Sequence, residues 1–259
     1  MSLDFFIGLF PQLLNGFLVT LALWALSGVL GLAFAVPVVI ARTAAAKLPR
    51  MLARGFITVI RGTPLLVQIY VFYYGLGNLL AQYPALRHSV LWPFLREGFW
   101  YAAMALAVST AAYAGEILRG GIMGVPPGEI EAGRSLGLKP WMVWRLLIMP
   151  RALRICLPAL IGQLINLLKS TALASTITVM DLLGTANYIR MQTFRVYEPL
   201  LAVALVYVGL TIVLTRCLSL VGRTVPPDRS GAATRRSRAH RPLPTEAAGG
   251  PEGSSAPAA

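Results

Sequence analysis

Long stretches without a charged residue dominate the pattern of hydrophobic and polar positions along this chain. They run over residues 5–41, 62–86, 98–115, 155–168 and 199–215. A helix that spans a bilayer needs roughly 20 mainly apolar residues, and only helices and closed barrels satisfy every backbone polar group inside lipid. The fourth stretch reaches this length only if it continues past Lys169 to residue 179, which places a cation at membrane depth. The alternation typical of barrel strands is absent, so the pattern predicts an all-α membrane protein with five transmembrane helices.

The composition agrees with this prediction, because 56% of the 259 residues are hydrophobic and only 13% are charged. The basic residues also indicate the orientation of the spans. Eighteen of the 23 Lys and Arg residues fall between spans one and two, between spans three and four, or after span five. Since Lys and Arg in short loops stay on the cytoplasmic side, we expect the N-terminus outside and the C-terminus inside. This preference accounts for the formal net charge of +13 without any nucleic-acid partner.

The two ends of the chain differ in character. The opening MSLDFFIGLF has no basic region before its apolar run, so we expect an uncleaved first span rather than a signal peptide that is removed. Residues 1–221 form the predicted transmembrane domain. Residues 222–259 are rich in Pro, Ala, Gly, Ser and Arg and lack apolar periodicity, which predicts a disordered basic cytoplasmic tail. Its RRSRAHR patch either contacts anionic membrane lipid or is solvated.

Signatures of catalysis are weak in this sequence. Residues 133–137 spell G-x-S-x-G, but the flanking patterns are helical, whereas the nucleophile elbow of a hydrolase joins a strand to a helix. The phosphate-binding pattern G-x-x-x-x-G-K-[ST] is absent from the sequence, and His and Cys do not occur at metal-ligand spacings. We therefore predict no catalytic residue, no metal site and no cofactor bound by this chain.

A polar and basic loop separates spans three and four, over about residues 119–154. Pro126 and Pro127 precede acidic residues, and Pro140 precedes the apolar run WMVWRLLI, which predicts two short helices broken near Gly137. The apolar side chains that this pair presents are Leu136, Trp141, Met142 and Trp144. They favour a plug for a groove on a partner. The alternative is an amphipathic loop lying on lipid.

The same loop resembles the coupling motif of ABC importer permeases, written E-A-A, three residues, G, nine residues, I-x-L-P. The positions that match at this spacing are Glu131, Ala132, Gly137 and Pro150. Gly133 stands in place of the second Ala, Leu147 in place of the Ile, and Met149 in place of the Leu. In that family the loop inserts into a cleft on the ATP-binding subunit. The resemblance therefore implies that this segment is the ATPase-coupling loop, with Glu131 and Gly137 as coupling residues.

Further strings narrow the resemblance to permeases for polar amino acids, and among these to permeases for histidine, arginine and opines. The strings are RGTPLLVQIY at residues 61–70, YAGEILRGGIMGVPPGEIEAG at 113–133 and LKSTALASTITVMDLLGTA at 168–186. Together these strings and the coupling motif span most of residues 10–220. The resemblance implies the type I ABC importer permease fold.

Ionisable residues within or next to the predicted spans are candidate functional residues, because a lone charge inside lipid costs at least about 2.5 kcal/mol. Glu116 and Arg119 lie one turn apart near the end of span three, either as a helix-surface ion pair or as part of a gate. Arg61 anchors the inner end of span two, and Pro64 starts or kinks its helix. These four residues are the gate or helix-end candidates.

Candidates for the substrate path lie in span four and after it. They are Lys169, Ser170, Thr171, Asp181 and Glu198. The hydroxyls of residues 170–178 either line this path or make hydrogen bonds that pack helices together. Because the resemblance favours a cationic substrate, we expect Asp181, with Glu198 as second choice, to supply the complementary charge. Lys169 either binds the substrate carboxylate or pairs with Asp181.

The resemblance as a whole implies a non-catalytic, multi-pass permease subunit in the bacterial cytoplasmic (inner) membrane, importing a polar, basic amino acid or an opine. Its implied partners are a dimer of ATP-binding subunits that use Mg-ATP, a second permease subunit, and a periplasmic or extracellular solute-binding protein. The second permease subunit is either an identical copy or a paralogue. The alternative from another class is a membrane scaffold or enzyme subunit whose basic loop binds a partner without transport.

Overall fold

The computed structural model describes the backbone of residues 3–223 and the side chains of residues 11–220. Every regular element in this part of the chain is helical, as predicted. The elements are α1 (Leu3–Thr43), α2 (Lys47–Gly62), α3 (Leu65–Tyr70), a π-helical turn (Val71–Leu76), α4 (Gly77–Ala81), α5 (Pro84–Arg87), α6 (Trp92–Leu95), α7 (Gly98–Met123), α8 (Pro127–Ser135), α9 (Pro140–Val143), a second π-helical turn (Trp144–Ile148), α10 (Met149–Ser170), a 3₁₀ helix (Thr171–Ile177), α11 (Leu182–Thr193) and α12 (Tyr197–Arg223). Beyond Arg223 the predicted tail lies outside the described residues.

Five segments of the described chain have the length and apolar character of a membrane span. The four continuous ones are Pro11–Thr43, Gly98–Met123, Pro140–Ile177 and Tyr197–Leu220. The fifth is a bent pair, Lys47–Gly62 with Leu65–Ala81, whose two helices meet at 104°. With the pair counted as one span, the number agrees with the five predicted from sequence.

The segment between spans one and two departs from the prediction of a loop, because it forms helix α2. Its basic residues interrupt the apolar runs, yet they recur on one side of a helix. Ala53 and Ile57, one turn apart, are buried against the bundle, whereas Leu48 and Leu52 are 63% exposed. α2 is therefore an amphipathic helix with one edge packed on the bundle and a broad apolar face left uncovered.

The sharp bend after α2 follows from Pro64. The residue before a proline disfavours helical dihedrals, and Thr63 is extended, with φ −102° and ψ 141°. The side chain of Gln68 stabilises the bend, since its Nε2 donates to the carbonyl oxygens of Ile60 and Thr63 at 2.7 and 3.1 Å. The apolar part of the second span consequently begins at Leu65.

Helices α1 and α7 pack closely because small residues line both sides of their contact. The buried positions on α1 recur every four residues at Ser27, Gly31, Ala35 and Val39. Those on α7 recur at Ala103, Ala107, Ala111 and Gly115. A Cβ added to Gly31 would lie 2.5 Å from the Cβ of Thr110. Between apolar helices in lipid, van der Waals packing replaces the hydrophobic driving force, so this small-residue seam holds the first and third spans together.

We expect Gly31→Ala to lower the free energy of unfolding by about 1–3 kcal/mol, because the added methyl group overpacks the seam against Thr110. The measurement is thermal unfolding of the full chain in detergent. Gly55→Ala in α2 is the matched control, since a Cβ there meets no atom within 4 Å. The control should leave stability unchanged or raise it slightly. Equal unfolding curves for the two variants would contradict the importance of the seam.

Candidate functional site

The loop that follows α7 is fixed at its base to the start of α10. A Cβ on Gly121 would lie 2.6 Å from the carbonyl oxygen of Ala152 and 3.0 Å from the Cβ of Cys156, so the two helices meet there through backbone. Arg151 Nη2 and Glu129 Oε1 form an ion pair 2.7 Å long, which ties α8 to α10. The loop is therefore held to the spanning helices at two separate points.

Helix α8 ends in a turn that requires glycine. The backbone N–H of Leu138 donates to the carbonyl oxygen of Gly133 at 3.2 Å, and that of Gly137 donates to Arg134 at 2.9 Å. These two bonds define a Schellman motif, whose residue after the C-cap is left-handed. Gly137 has φ +74°. The helix break predicted near this glycine is therefore observed.

Two of the departures from the coupling motif lie against each other. A Cβ on Gly133 would lie 2.5 Å from Cδ1 of Leu147, with the Val143 and Leu138 side chains 3.6 Å away. Gly133 is buried beneath these side chains. Glycine at position 133 thus leaves room for the Leu147 side chain, and this contact packs α8 on the helix that follows it.

The outward surface of the loop carries both charge and apolar area. Glu131 and Ala132 are exposed on α8. Leu136 is 82% exposed and Trp141 is 59% exposed, whereas Met142 is half-buried. A tryptophan and a leucine left uncovered beside a carboxylate form the type of surface that anchors a protein partner.

The second predicted helix of the loop is not separate from the fourth span. α9, the second π-helical turn and α10 follow one another from Pro140 to Ser170 without an interruption. The prediction of two short helices is thus right for α8 and wrong for the second, because the apolar run after Pro140 continues directly into the membrane span.

Residues 133–137, which spell G-x-S-x-G, occupy the end of α8 and its C-terminal turn, so Ser135 is not placed on a strand-to-helix elbow.

Charged residues gather at the end of α7 beside the loop. Arg119 donates from Nε and Nη2 to Glu116 Oε1 at 2.8 and 2.6 Å, which is the ion pair considered from sequence. Arg42 Nε on α1 lies 4.0 Å from Glu116 Oε2. Arg61 Cζ lies 5.0 Å from the centroid of the Tyr113 ring, within cation–π range. A gate role for these residues stays a prediction.

Asp181 caps helix α11. Its Oδ1 accepts a hydrogen bond from the backbone N–H of Gly184 at 2.8 Å, and the Tyr207 hydroxyl donates to Oδ2 at 3.5 Å. The side chain is 0% exposed. Along the chain Asp181 lies between the spans that end at Ile177 and begin at Tyr197. The carboxylate therefore serves the fold here, and its contact with substrate stays a prediction.

Lys169 and Glu198 lie nearer the surface than Asp181. Lys169 is exposed at the end of α10, and in the described part of the chain it forms no ion pair with Asp181. Glu198 Oε1 lies 3.7 Å from Arg195 Nη1, one turn earlier in the chain. Of the two acidic candidates, only Glu198 has exposed side-chain area, 23% of its maximum.

The hydroxyl groups around the 3₁₀ helix mostly bond to their own helix. The residues that donate to a carbonyl oxygen three or four positions earlier are Ser170, Thr171, Ser175 and Thr176. Thr178 is different, because it is left-handed with φ 69° and its Oγ1 lies 3.5 Å from the Tyr73 hydroxyl. For the first four residues the contacts support local helix hydrogen bonding.

Sequence reasoning missed an aromatic cavity at the opposite end of α7 from the loop. It has a volume of about 380 Å³, and its lining includes Tyr73, Tyr74, Trp92, Arg96 and Tyr101. The run VFYYG in the second span was the available signal, but aromatic residues in a span are equally typical of packing. The first π-helical turn, Val71–Leu76, contributes both Tyr73 and Tyr74.

Comparison with known proteins identifies the family to which this chain belongs. The model of the family described as "binding-protein-dependent transport system inner membrane component" matches residues 29–225. The chain belongs to this family. It is thus a membrane-spanning, non-catalytic permease component of an ABC importer, a type of system that also contains ATPase and binding-protein components.

Individual relatives of this permease agree with the family assignment. The octopine transport system permease protein OccM of Rhizobium meliloti is 45% identical over 68% of this chain and 71% of its own length. The histidine/lysine/arginine/ornithine transport system permease protein HisM of Salmonella typhimurium is 39% identical over 76% of this chain and 83% of its own. A solved amino acid ABC transporter with histidines superposes with a TM-score of 0.76, at 33% identity over 86% of this chain and 99% of that one.

We expect Gly137→Ala to destabilise the turn of the permease loop by about 1–2 kcal/mol, because a Cβ is unfavourable in the left-handed conformation. Hydrogen exchange of residues 127–148 in the full chain measures this local opening. Gly128→Ala in α8 is the control, since a Cβ at Gly128 meets no atom within 4 Å. Faster exchange in both variants, or in neither, would contradict the role assigned to Gly137.

Proposed function

We propose that this chain is a permease subunit of an ATP-driven importer for a basic amino acid or an opine, and that the loop between spans three and four receives the motion of the ATPase. The observation that carries the proposal is the loop itself. Glu131, Leu136 and Trp141 are exposed on a segment whose base is fixed to two spanning helices. A surface of this kind offers a partner a rigid point on which to act.

The attachment of the loop explains how movement would pass into the membrane. The two contacts at its base, Gly121 with Ala152 and Glu129 with Arg151, join α7 and α8 to α10. The segment Pro140–Ile177 then continues into the bilayer. Two ATP-binding subunits that close on Mg-ATP would pull on such loops as levers and switch the permease between outward and inward access. ATP chemistry would stay with those subunits.

A second permease subunit completes the path in this proposal. Apolar side chains remain exposed along α12, among them Leu205, Val213 and Leu220. One bundle supplies one side of a central passage, and a copy of this chain or a paralogue supplies the other. An external solute-binding protein delivers the substrate to the outer mouth.

The proposed setting is the cytoplasmic membrane of a bacterium, crossed several times, with the N-terminus outside and the coupling loop inside. The segment before span two and the segment after span three are rich in basic residues, and by the positive-inside rule they support this orientation. Arg119, Arg134 and Arg145 then face the cytoplasm together with Glu131.

The proposed substrate class rests on the relatives and on charge. The relatives named above are described as transporting octopine and as transporting histidine, lysine, arginine and ornithine. An acidic side chain in the path suits such cations. Asp181 and Glu198 are the candidates, although Asp181 must leave its buried capping position to reach a substrate, whereas Glu198 already has exposed area. Lys169 is the proposed partner for the substrate carboxylate.

We expect Glu131→Arg to lower substrate uptake by about tenfold or more, because reversing a charge at an interface costs about 2 kcal/mol or more. The assay follows uptake of labelled substrate by cells that also contain the ATPase and binding protein, together with co-purification of the ATPase. Glu97→Arg is the control, since Glu97 lies at the N-terminal end of α7, opposite the end that carries the loop. Full uptake together with unchanged co-purification of the ATPase would refute the assignment of Glu131 to the ATPase contact.

Uptake of labelled arginine, histidine, glutamine, glutamate and an opine, with and without this chain, tests the substrate class. We expect loss of arginine or opine uptake and little change for glutamate. Asp181→Asn or Glu198→Gln should then lower arginine uptake relative to glutamine uptake, because each removes a negative charge while keeping a hydrogen-bond acceptor. A loss confined to glutamine or glutamate would refute the cationic substrate, and no loss for any of the five would place the substrate outside this set.

A further inference from the structure

A basic cavity lies between α1, α2 and α7, at the end of the bundle that carries the coupling loop. Its volume is about 390 Å³. The lining residues are Arg42, Arg54, Ile57, Thr58, Arg61, Gly62, Tyr113 and Glu116. Three guanidinium groups thus face one carboxylate, and that carboxylate already accepts two hydrogen bonds from Arg119. The cavity keeps a positive surplus that the described residues do not neutralise.

The hydrogen bonding inside the cavity is incomplete. Arg42 Nε and Glu116 Oε2 are both buried from solvent and, among the described residues, neither has a hydrogen-bond partner. They lie 4.0 Å apart, beyond hydrogen-bond length. The exposed guanidinium of Arg61 lies over the Tyr113 ring, with Cζ 5.0 Å from the ring centroid. One buried N–H of Arg42 without an acceptor, beside the exposed guanidinium groups of Arg54 and Arg61, favours binding of an oxygen-rich anion.

Helix α2 places this cavity at the surface of the bilayer. Its axis makes 104° with the apolar helix that follows, so α2 runs nearly along the membrane plane if that helix crosses it. The side chains of Leu48, Leu52 and Val59 lie on one face of α2 and are each more than 60% exposed. An amphipathic helix oriented parallel to the membrane plane buries its apolar face among acyl chains and keeps its basic face at the level of the headgroups.

We infer that the cavity binds the phosphate of an anionic phospholipid, with Arg54 and Arg61 as the main ligands and Arg42 behind them. The lipid tails lie beside the exposed apolar face of α2, and the headgroup phosphate meets the guanidinium groups at the same depth. The position of α2 selects a lipid over a soluble anion, because this helix holds the cavity at the level of the headgroups and presents a separate, exposed apolar face to acyl chains. The bound lipid fixes α2 against the ends of α1 and α7.

The test measures lipid binding to the full chain by native mass spectrometry, after titration in detergent with phosphatidylglycerol or phosphatidylcholine. Arg54→Gln and Arg61→Gln should each weaken phosphatidylglycerol binding about fivefold or more, because each removes charge-assisted hydrogen bonds to the phosphate. Phosphatidylcholine should bind less tightly and respond less to either change. Arg54→Lys, which keeps the charge, should retain most of the binding.

Lys47→Gln is the matched control. Lys47 is exposed on the same helix and carries the same charge, but it does not line the cavity. The Lys47→Gln control should weaken binding less than twofold, because an exposed charge outside the cavity contributes little to binding. Equal losses for Lys47→Gln and Arg54→Gln would overturn the site in favour of general attraction to a basic helix.

Inorganic phosphate distinguishes the source of the anion. Addition of millimolar phosphate should leave the bound phosphatidylglycerol in place. Displacement of the lipid by phosphate, with the same dependence on Arg54 and Arg61, would overturn the lipid assignment. Transport is not read out in this experiment, so its result is independent of the proposed substrate and coupling.

Discussion

Close approach of α1 and α7 along small residues is the contact on which the rest of the bundle depends. In lipid, an apolar helix gains nothing by hiding apolar surface from an apolar solvent, so association requires side chains small enough to let backbones touch. Gly31, Ala107 and Gly115 meet that requirement here. Once the first and third spans are joined, the end of α7 has a fixed position, and the loop and the arginine cavity are built on that end.

Most charged residues of the described helices lie near the ends of the membrane spans. The Glu116–Arg119 pair and the arginines of α2 occupy one end, and Arg195 with Glu198 follows α11 in the connection to the last span. Between these levels the described helices carry mostly small and apolar side chains. Asp181 and Lys169 are exceptions. Asp181 is held inside by two neutral partners, a backbone amide and a tyrosine hydroxyl.

Sequence reasoning located features that depend on local pattern and failed where the outcome depends on neighbours. The five spans, the break near Gly137 and the one-turn pair of Glu116 with Arg119 each follow from residues within a short window. Helix α2 was missed because its basic residues broke the apolar runs used to define spans, although Ala53 and Ile57 recur at helical spacing. The capping bond from Gly184 to Asp181 is local, but the burial of Asp181 beside Tyr207, 26 positions later, is a distant contact that no local pattern reveals.

The two cysteines of this chain differ in chemical accessibility, and the difference has a use. Cys156 is 3% exposed and lies where α7 meets α10, whereas Cys217 is exposed on α12. Thiol reagents can reach Cys156 only when those two helices separate. In a chain with only two cysteines, a Cys217→Ser variant would carry one thiol at the base of the loop that follows α7. Its alkylation rate would report the opening of that junction directly, without an introduced label.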